Sequence, residues 1–362
     1  MAVRLSEWQR IPTSGARAVE PFTVAGLDLL AIPQLARDMP GHPADMNGGD
    51  SHTDLLLLRW SGDRYAPWAT LPGPGGEDAE FFVIDGRAFL AVASIRAGTG
   101  PYDLAVGSVI YTWRDGGFVP FQRIPTYAAK QWRHWQADGR HFLGLAQGVV
   151  EPGRERDNLP SVVYEWDGRR FVLFQEIESR WAYNWQPMTI DGTLYVAHAE
   201  HLGPSLLYRW DGDRLRPHQE LAERGARSFG TFGRDGERYL IVACLHAPSR
   251  LLKWTGTGFG AVTELGGPGA RELVVFGEQD RLFAVRVNFV LGTRADPVTA
   301  LTSVVYEWQA GQLRVAAEFP TTGGTDAALA RHDGRPYLIV SNSLSPGVRF
   351  RADTVVYALA VS

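Results

Sequence analysis

The sequence predicts an all-β chain folded as a seven-bladed β-propeller, four antiparallel strands per blade, with the last blade closed by the N-terminal strand in a three-plus-one arrangement. Three observations carry this. One apolar-aromatic phrase recurs along all 362 residues, hairpin signals stand before and after each copy, and no window shows sustained helical periodicity. The phrase reads LLLLRW ending at Trp60, VIYTW at Trp113, VVYEW at Trp166, LLYRW at Trp210, LLKW at Trp254 and VVYEW at Trp308. These tryptophans are spaced 53, 53, 44, 44 and 54 residues apart, and a seventh copy, VVYALAV, puts Leu359 where a Trp would stand. Alternation of β-branched and aromatic residues is strand chemistry.

Each unit then resolves into four strands. FFVIDGRAFLAVAS, HWQADGRHFLGLAQ, PMTIDGTLYVAHAE, TFGRDGERYLIVAC and ARHDGRPYLIVSN are A–B hairpins, and the Trp phrase is strand C. GGFVPFQRIPT, RRFVLFQEIES and DRLRPHQELAE follow as strand D. Asp-Gly supplies the positive φ of a tight type I′ hairpin, so the eight Asp-Gly pairs are turns rather than ligands. The chain opens on LSEWQRIPT, which matches the D strand FVPFQRIPT, and it ends after a C strand. The expectation is therefore one domain over 1–362, with blade 7 built from 326–362 plus 4–12 and no edge left bare.

Composition narrows the function classes. With 45% hydrophobic and 11% aromatic residues the chain is not disordered. Thirty-six basic against 40 acidic residues, a net charge of −4, argue against a broad nucleic-acid surface and a polybasic membrane anchor. Cys244 is the single cysteine, which excludes an intrachain disulfide and a cysteine metal cage and reads as a buried, inert thiol. No run of 18 apolar residues occurs, and the expectation is a soluble, cytoplasmic protein. Lysine stands only at 130 and 253 against abundant arginine, a bacterial-like composition of a GC-rich genome. No G-x-S-x-G, H-E-x-x-H, Walker A, G-x-G-x-x-G or EF-hand loop is present, and no cofactor is expected.

FVPFQRIPTYAAKQWRHWQADGRHFLGLAQ followed by SVVYEWDG resembles the EAR, or epitempin (EPTP), repeat, whose pattern runs F-x-x-x-Q-x-I, G-A-x-D-W-E-x-F, Y-L-A-V-A-N, S-x-I-Y-x-W. FVLFQEIESRWAYNWQPMTIDGTLYVAHAE follows it too. The resemblance spans essentially the whole chain, strongest in blades 2 to 4 and faint in blades 5 and 6. It implies a seven-bladed propeller and a tendency to bind, since the leucine-rich glioma-inactivated proteins engage cell-surface receptors through this domain. This chain lacks their leucine-rich repeats and disulfides.

Aligned A strands give a polar column at the pattern's Asp: Ala18, Asp78, Gln131, Asn184, Ser228, Glu272 and Asp326. Two residues on stand Glu20, Glu80, Arg133, Gln186, Gly230, Val274 and Ala328. Period-two alternation puts both sets on one strand face, expected at the mouth of a central channel. Three readings stay open there. The side chains hydrogen-bond loops and water, or Asp78, Asn184, Glu272 and Asp326 hold an oxygen-ligated cation such as Ca²⁺ in the channel, or Asp78 and Glu80 with Arg133 perform acid/base catalysis.

Trp132 and Trp185 fall on the repeat's own Trp position and read as packing. Tyr127 and Trp181 lie in D–A loops, where they would form an aromatic wall for an apolar or cationic ligand beside Glu20, Gln131 and Asn184. His134 and His141 read as strand-surface or hairpin residues. Loop 35–54 carries His42, Asp45, Asp50, His52 and Asp54 without zinc spacing and reads as a mobile lid or a surface loop. The expected function is a binding propeller recognising a protein partner or small ligand on its D–A/B–C loop face. The alternative is a cofactor-independent cyclase, lyase or hydrolase working through the channel-mouth carboxylates.

Overall fold

The computed structural model describes residues 3–150, 153 and 155–361. Its strands form seven four-stranded antiparallel blades of a β-propeller, and among the described residues the one helix is a 3-10 turn, Glu155–Asp157. The residues fall into two compact units, one taking in 1–79, 96–103 and 269–362, the other 80–95 and 104–268.

The first unit holds three whole blades. In blade 1 strands A to D are Glu20–Val24, Leu27–Ile32, Asp54–Trp60 and Tyr65–Pro72. In blade 6 they are Ala270–Glu278, Arg281–Asn288, Ala300–Gln309 and Gln312–Thr322. Blade 7 takes A, B and C from Gly324–His332, Arg335–Asn342 and Thr354–Val361, and Val3–Ile11 pairs with strand C as its fourth strand. The second unit holds blades 3, 4 and 5. Their A strands are Gln131–Ala137, Ala182–Ile190 and Ala226–Arg234, and their B strands Arg140–Ala146, Thr193–Glu200 and Glu237–Cys244. Ser161–Trp166, Ser205–Trp210 and Ser249–Trp254 are the C strands, and Phe171–Ile177, Leu215–Ala222 and Phe259–Leu265 the D strands. Blade 2 runs Gly76–Ile84, Arg87–Ser94, Ser108–Arg114 and Gly117–Ile124, its first four residues counted with the first unit.

The repeated residues have separable jobs. The phrase-ending tryptophans pack edge-on against the first aromatic of strand D: Trp60 on Tyr65, Trp113 on Phe118 and Trp254 on Phe259, with centroids 5.1–5.2 Å apart. The pattern's glutamine clamps neighbouring blades. Gln122 accepts a hydrogen bond from Phe171 N and donates to Phe171 O, at 2.9 and 2.8 Å. Gln175 does the same to Leu215, Gln219 to Phe259 and, through the closing strand, Gln9 to Tyr65. One side-chain amide thus satisfies both peptide groups at the start of the next D strand. Gln175→Ala strips partners from a buried N–H and C=O together, for an expected loss of about 2 kcal/mol in urea unfolding. Gln175→Glu, which keeps the acceptor and loses the donor, should destabilise as well, since a carboxylate then faces Leu215 O. Equal stability of all three proteins would remove the clamp from the account.

The Asp-Gly turns divide into two kinds. In the A–B hairpins both residues take positive φ, as at Asp138 (50°) and Gly139 (73°), which is the type I′ geometry expected. In the C–D loops of blades 3 and 4 only Gly168 and Gly212 do. There Asp167 Oδ1 accepts from Arg169 N and Arg170 N, and Asp211 Oδ1 from Asp213 N and Arg214 N. The aspartate closes a longer loop with its side chain instead of adopting the strained backbone. Cys244 is buried at the end of strand B of blade 5. Among the described residues no helix is long and apolar enough to cross a membrane.

Candidate functional site

The predicted column serves in several places to join blades. Gln131 Oε1 accepts from Trp185 N at 2.6 Å, and Asp326 Oδ2 from Val19 N at 2.8 Å. Two residues past the column, Glu80 accepts from His134 N at 2.9 Å and from Arg133 Nη1 at 3.1 Å. Burial pushes the Glu80 carboxyl up, against Arg133, which pulls it down. Glu272 Oε1 accepts from the adjoining Leu273 N. Asn184 is buried in strand A of blade 4, and Asp78 and Glu20 are half-buried in the A strands of blades 2 and 1. Among the described residues no three His, Cys, Asp or Glu side chains group as a metal site would.

A second column lies one residue earlier, where strict alternation does not put it. The A strands of blades 4 to 7 break register at Tyr183, Arg227, Arg271 and Thr325. A bulge inserts one residue and re-aims its side chain, which is why counting by twos along those strands fails. With Arg17, Glu77 and Lys130 this column is polar in every blade, a signal present in the sequence but assigned by period two to the opposite face.

In the first unit the bulge column buries an ion cluster. Glu77, 4% exposed at its side chain, lies 2.5 Å from Arg271 Nη2 and 3.4 Å from Arg17 Nε. Both guanidinium groups stand over the Phe289 ring, at 5.2 and 5.7 Å. Burial pulls the Arg17 pKa down to about 10. The neighbouring loop 35–54 is no mobile lid. Arg96 donates to Asn47 O, Gly48 O and Ser51 Oγ, Tyr102 OH to Gly49 O, and Asp38 accepts from Phe350 N and Arg351 N. Six contacts to its backbone or side chains pin what length and glycine content alone suggested was free to move.

In the second unit the bulge column meets the predicted aromatics on the D–A/B–C loop side. Lys130 is 3% exposed; its Nζ donates to Ala128 O and Gly148 O and sits 5.7 Å from the Trp181 ring and 5.4 Å from that of Tyr183. Arg227 stacks over Tyr183 at 3.7 Å, and Trp181 Nε1 donates to Tyr183 Oη at 2.9 Å. Tyr127 is buried with Leu104 and Val149, and Trp181 packs half-buried against that cluster. His201 touches Trp181 and Tyr183 edge-on, and His246 lies 5.4 Å beyond it. Beside the two histidines opens a cavity of about 610 Å³ between the B–C loops of blades 4 and 5 and the D–A loop at Arg224.

The histidine pair His134–His141 belongs elsewhere: His134 Nε2 and His141 Nδ1 are 3.0 Å apart, with His134 stacked on Phe82, and burial pulls His134 down to about 4.

Comparison with known families fits this repeat geometry. The EPTP domain profile matches residues 64–114, 117–167, 170–211 and 214–255, four D-A-B-C units covering just over half of the chain. The chain belongs to the EPTP-repeat family. The matched stretch includes blade 5, where the repeat is faint to the eye. Two thrombospondin-type laminin G domain and EAR repeat-containing proteins are similar, at 35% identity over 125 residues in Mus musculus and 32% over 136 residues in Homo sapiens. These alignments cover 34% and 36% of this chain but only 17% and 19% of those proteins. A chain of the crystal structure of BBS1N in complex with ARL6DN shares the fold, with a TM-score of 0.59, 12% identity and coverage of 99% of this chain and 98% of that one.

Proposed function

We propose that this EPTP propeller is a binding protein, and that the D–A/B–C loop side of blades 3 to 5 is the surface it presents to a protein partner. The observation that supports the reading is the concentration there of half-buried Trp181 and Tyr183, buried Lys130 and Arg227, and the adjoining cavity. Rigid aromatic and guanidinium anchors beside a concavity are what binding hot spots are made of. Glu80 and Arg133, which the enzyme alternative needs as reacting groups, are occupied in joining blades 2 and 3.

The test compares two substitutions of equal kind. Leu202 is 38% exposed beside the cavity, and Leu173 is 60% exposed on a D strand away from it. Immobilised wild type, Leu202→Asp and Leu173→Asp proteins are exposed to host-cell extract and the retained proteins quantified. A partner held by wild type and Leu173→Asp but depleted about tenfold or more on Leu202→Asp is the expected result. No protein retained differentially between the two variants would sink the reading.

A further inference from the structure

We propose that the cavity between the B–C loops of blades 4 and 5 is an anion site, taking the carboxylate or phosphate of a small ligand with an apolar body. The inference rests on the binding reading above and names the chemistry of one pocket within it.

Basic side chains outnumber acidic ones around this corner. Lys130 and Arg227 are both buried and lie on the aromatic faces of Trp181 and Tyr183, which sit in turn against His201. Arg224 and Arg250 line the cavity with His201 and His246. The groups that act electrostatically on His201 are His246 and Lys130, those on His246 are Arg227 and Arg224, and every one of them lowers the pKa. Burial is the larger cause for both and brings His201 down to about 4. Glu200, the nearest carboxylate in sequence, is turned away: its oxygens accept from Arg180 N, Trp181 N and Leu202 N.

A second observation points at a missing acceptor or donor. His201 Nδ1 is buried and has no hydrogen-bond partner among the described residues. Buried imidazole nitrogens are rarely left so, and a turn of the His201 ring toward the cavity it lines would bring Nδ1 to a ligand oxygen. Positive potential in a partly desolvated pocket draws an anion far more strongly than the same charges on open surface. The carboxylates that do line the cavity, Glu223 and Glu264, are exposed, and they oppose a second acidic group. Leu202, Ala222, Ala247 and Pro248 supply apolar wall, and about 610 Å³ is the size of a small-molecule site. A singly acidic molecule with an apolar body matches each of these.

The test uses the purified full chain with benzoate, phenyl phosphate and, as the uncharged analogue, benzyl alcohol, followed by isothermal titration calorimetry. Saturable binding of benzoate or phenyl phosphate without binding of benzyl alcohol is expected, and the tighter of the two identifies the acidic group. Arg224→Gln, at an exposed position lining the cavity, should weaken it at least about tenfold, the loss of one charge-assisted hydrogen bond. His246→Glu, also at an exposed lining position, provides a second test without risk to folding; it should abolish binding. Arg238→Gln, on the turn side of blade 5, should leave binding unchanged. Failure of both anions to bind wild type, equal binding by benzyl alcohol, or retention in His246→Glu would overturn the proposal. Anion binding in a protein that retains no partner sinks the partner reading alone, and a partner retained by wild type without anion binding sinks this one alone.

Discussion

A chain lacking residues 1–12 is expected to lose its cooperative unfolding transition or to shift it far down, and to associate. Val3–Ile11 is the fourth strand of blade 7, paired from Val3 opposite Val361 to Ile11 opposite Thr354 with one register shift at Trp8. Val3 packs with Val355, Tyr357 and Leu359, joined by half-buried Leu5, and Ile11 packs with Ile32 and Ile339. Exposing three such aliphatic side chains costs about 1.5–3 kcal/mol each. The Gln9 clamp on Tyr65 and the bond from Trp8 Nε1 to Asp63 O, 2.7 Å, go with them. The sum approaches the whole stability of an ordinary folded protein, about 5–15 kcal/mol. The residual Thr354–Val361 strand would be a bare, apolar edge, which is a template for association. Size-exclusion chromatography and urea unfolding read both effects, and a peptide of residues 3–12 supplied in trans should restore the elution volume of the full-length chain. A truncated chain that shows no added association and a Tm within about 5 °C of full length would show that the closing strand is dispensable.

That closure is the part of the molecule the sequence expresses most clearly, because strand D is spelled the same way wherever it occurs. LSEWQRIPT and FVPFQRIPT share a Gln whose role is backbone satisfaction between blades, and any D strand must repeat it to make the clamp. Where Ala69, Thr263 and Ala317 replace it, the pattern fades to the eye while the blade persists, since alternation and hairpin turns still hold the sheet. The site was less legible for a geometric reason. Arg17, Glu77, Lys130, Tyr183, Arg227 and Arg271 are visible as polar residues, but a bulge shifts the face that Tyr183, Arg227 and Arg271 occupy, and alternation cannot announce a bulge. Trp181 was within reach because it lies outside the repeat, so packing did not explain it. His201 and His246 were not, because what draws them together is the approach of two B–C loops 45 residues apart in sequence. Loop 35–54 failed for the reverse reason: the arginine that pins it, Arg96, lies in the next blade's B–C loop.

Gly144→Ala should cost about 3 kcal/mol or more, although glycine-to-alanine changes in regular strands generally stabilise by reducing the freedom of the unfolded chain. Gly144 has ordinary strand backbone, so conformation does not demand glycine there. Space does. A Cβ at this position would stand 2.6 and 2.7 Å from Trp135 Cζ3 and Cη2 and 3.2 Å from Trp185 Cδ1. Neither indole can retreat. Trp185 is wholly buried, its backbone N–H is held by Gln131 and its ring lies 4.1 Å from His198, while Trp135 packs between Phe142 and Trp185. Overpacking against rigid rings falls at or beyond the upper end of the usual 1–3 kcal/mol. The equivalent residues of blades 2 and 4 are Ala91 and Ala197, and there Phe82 and Met188 stand where blade 3 has Trp135. Trp135→Phe should therefore rescue Gly144→Ala, with a coupling energy of about 1.5 kcal/mol or more in a double-mutant cycle by urea unfolding. A Gly144→Ala protein within about 0.5 kcal/mol of wild type, or a double variant as unstable as the two single losses summed, would mean that the indole layer yields and that glycine is there for another reason.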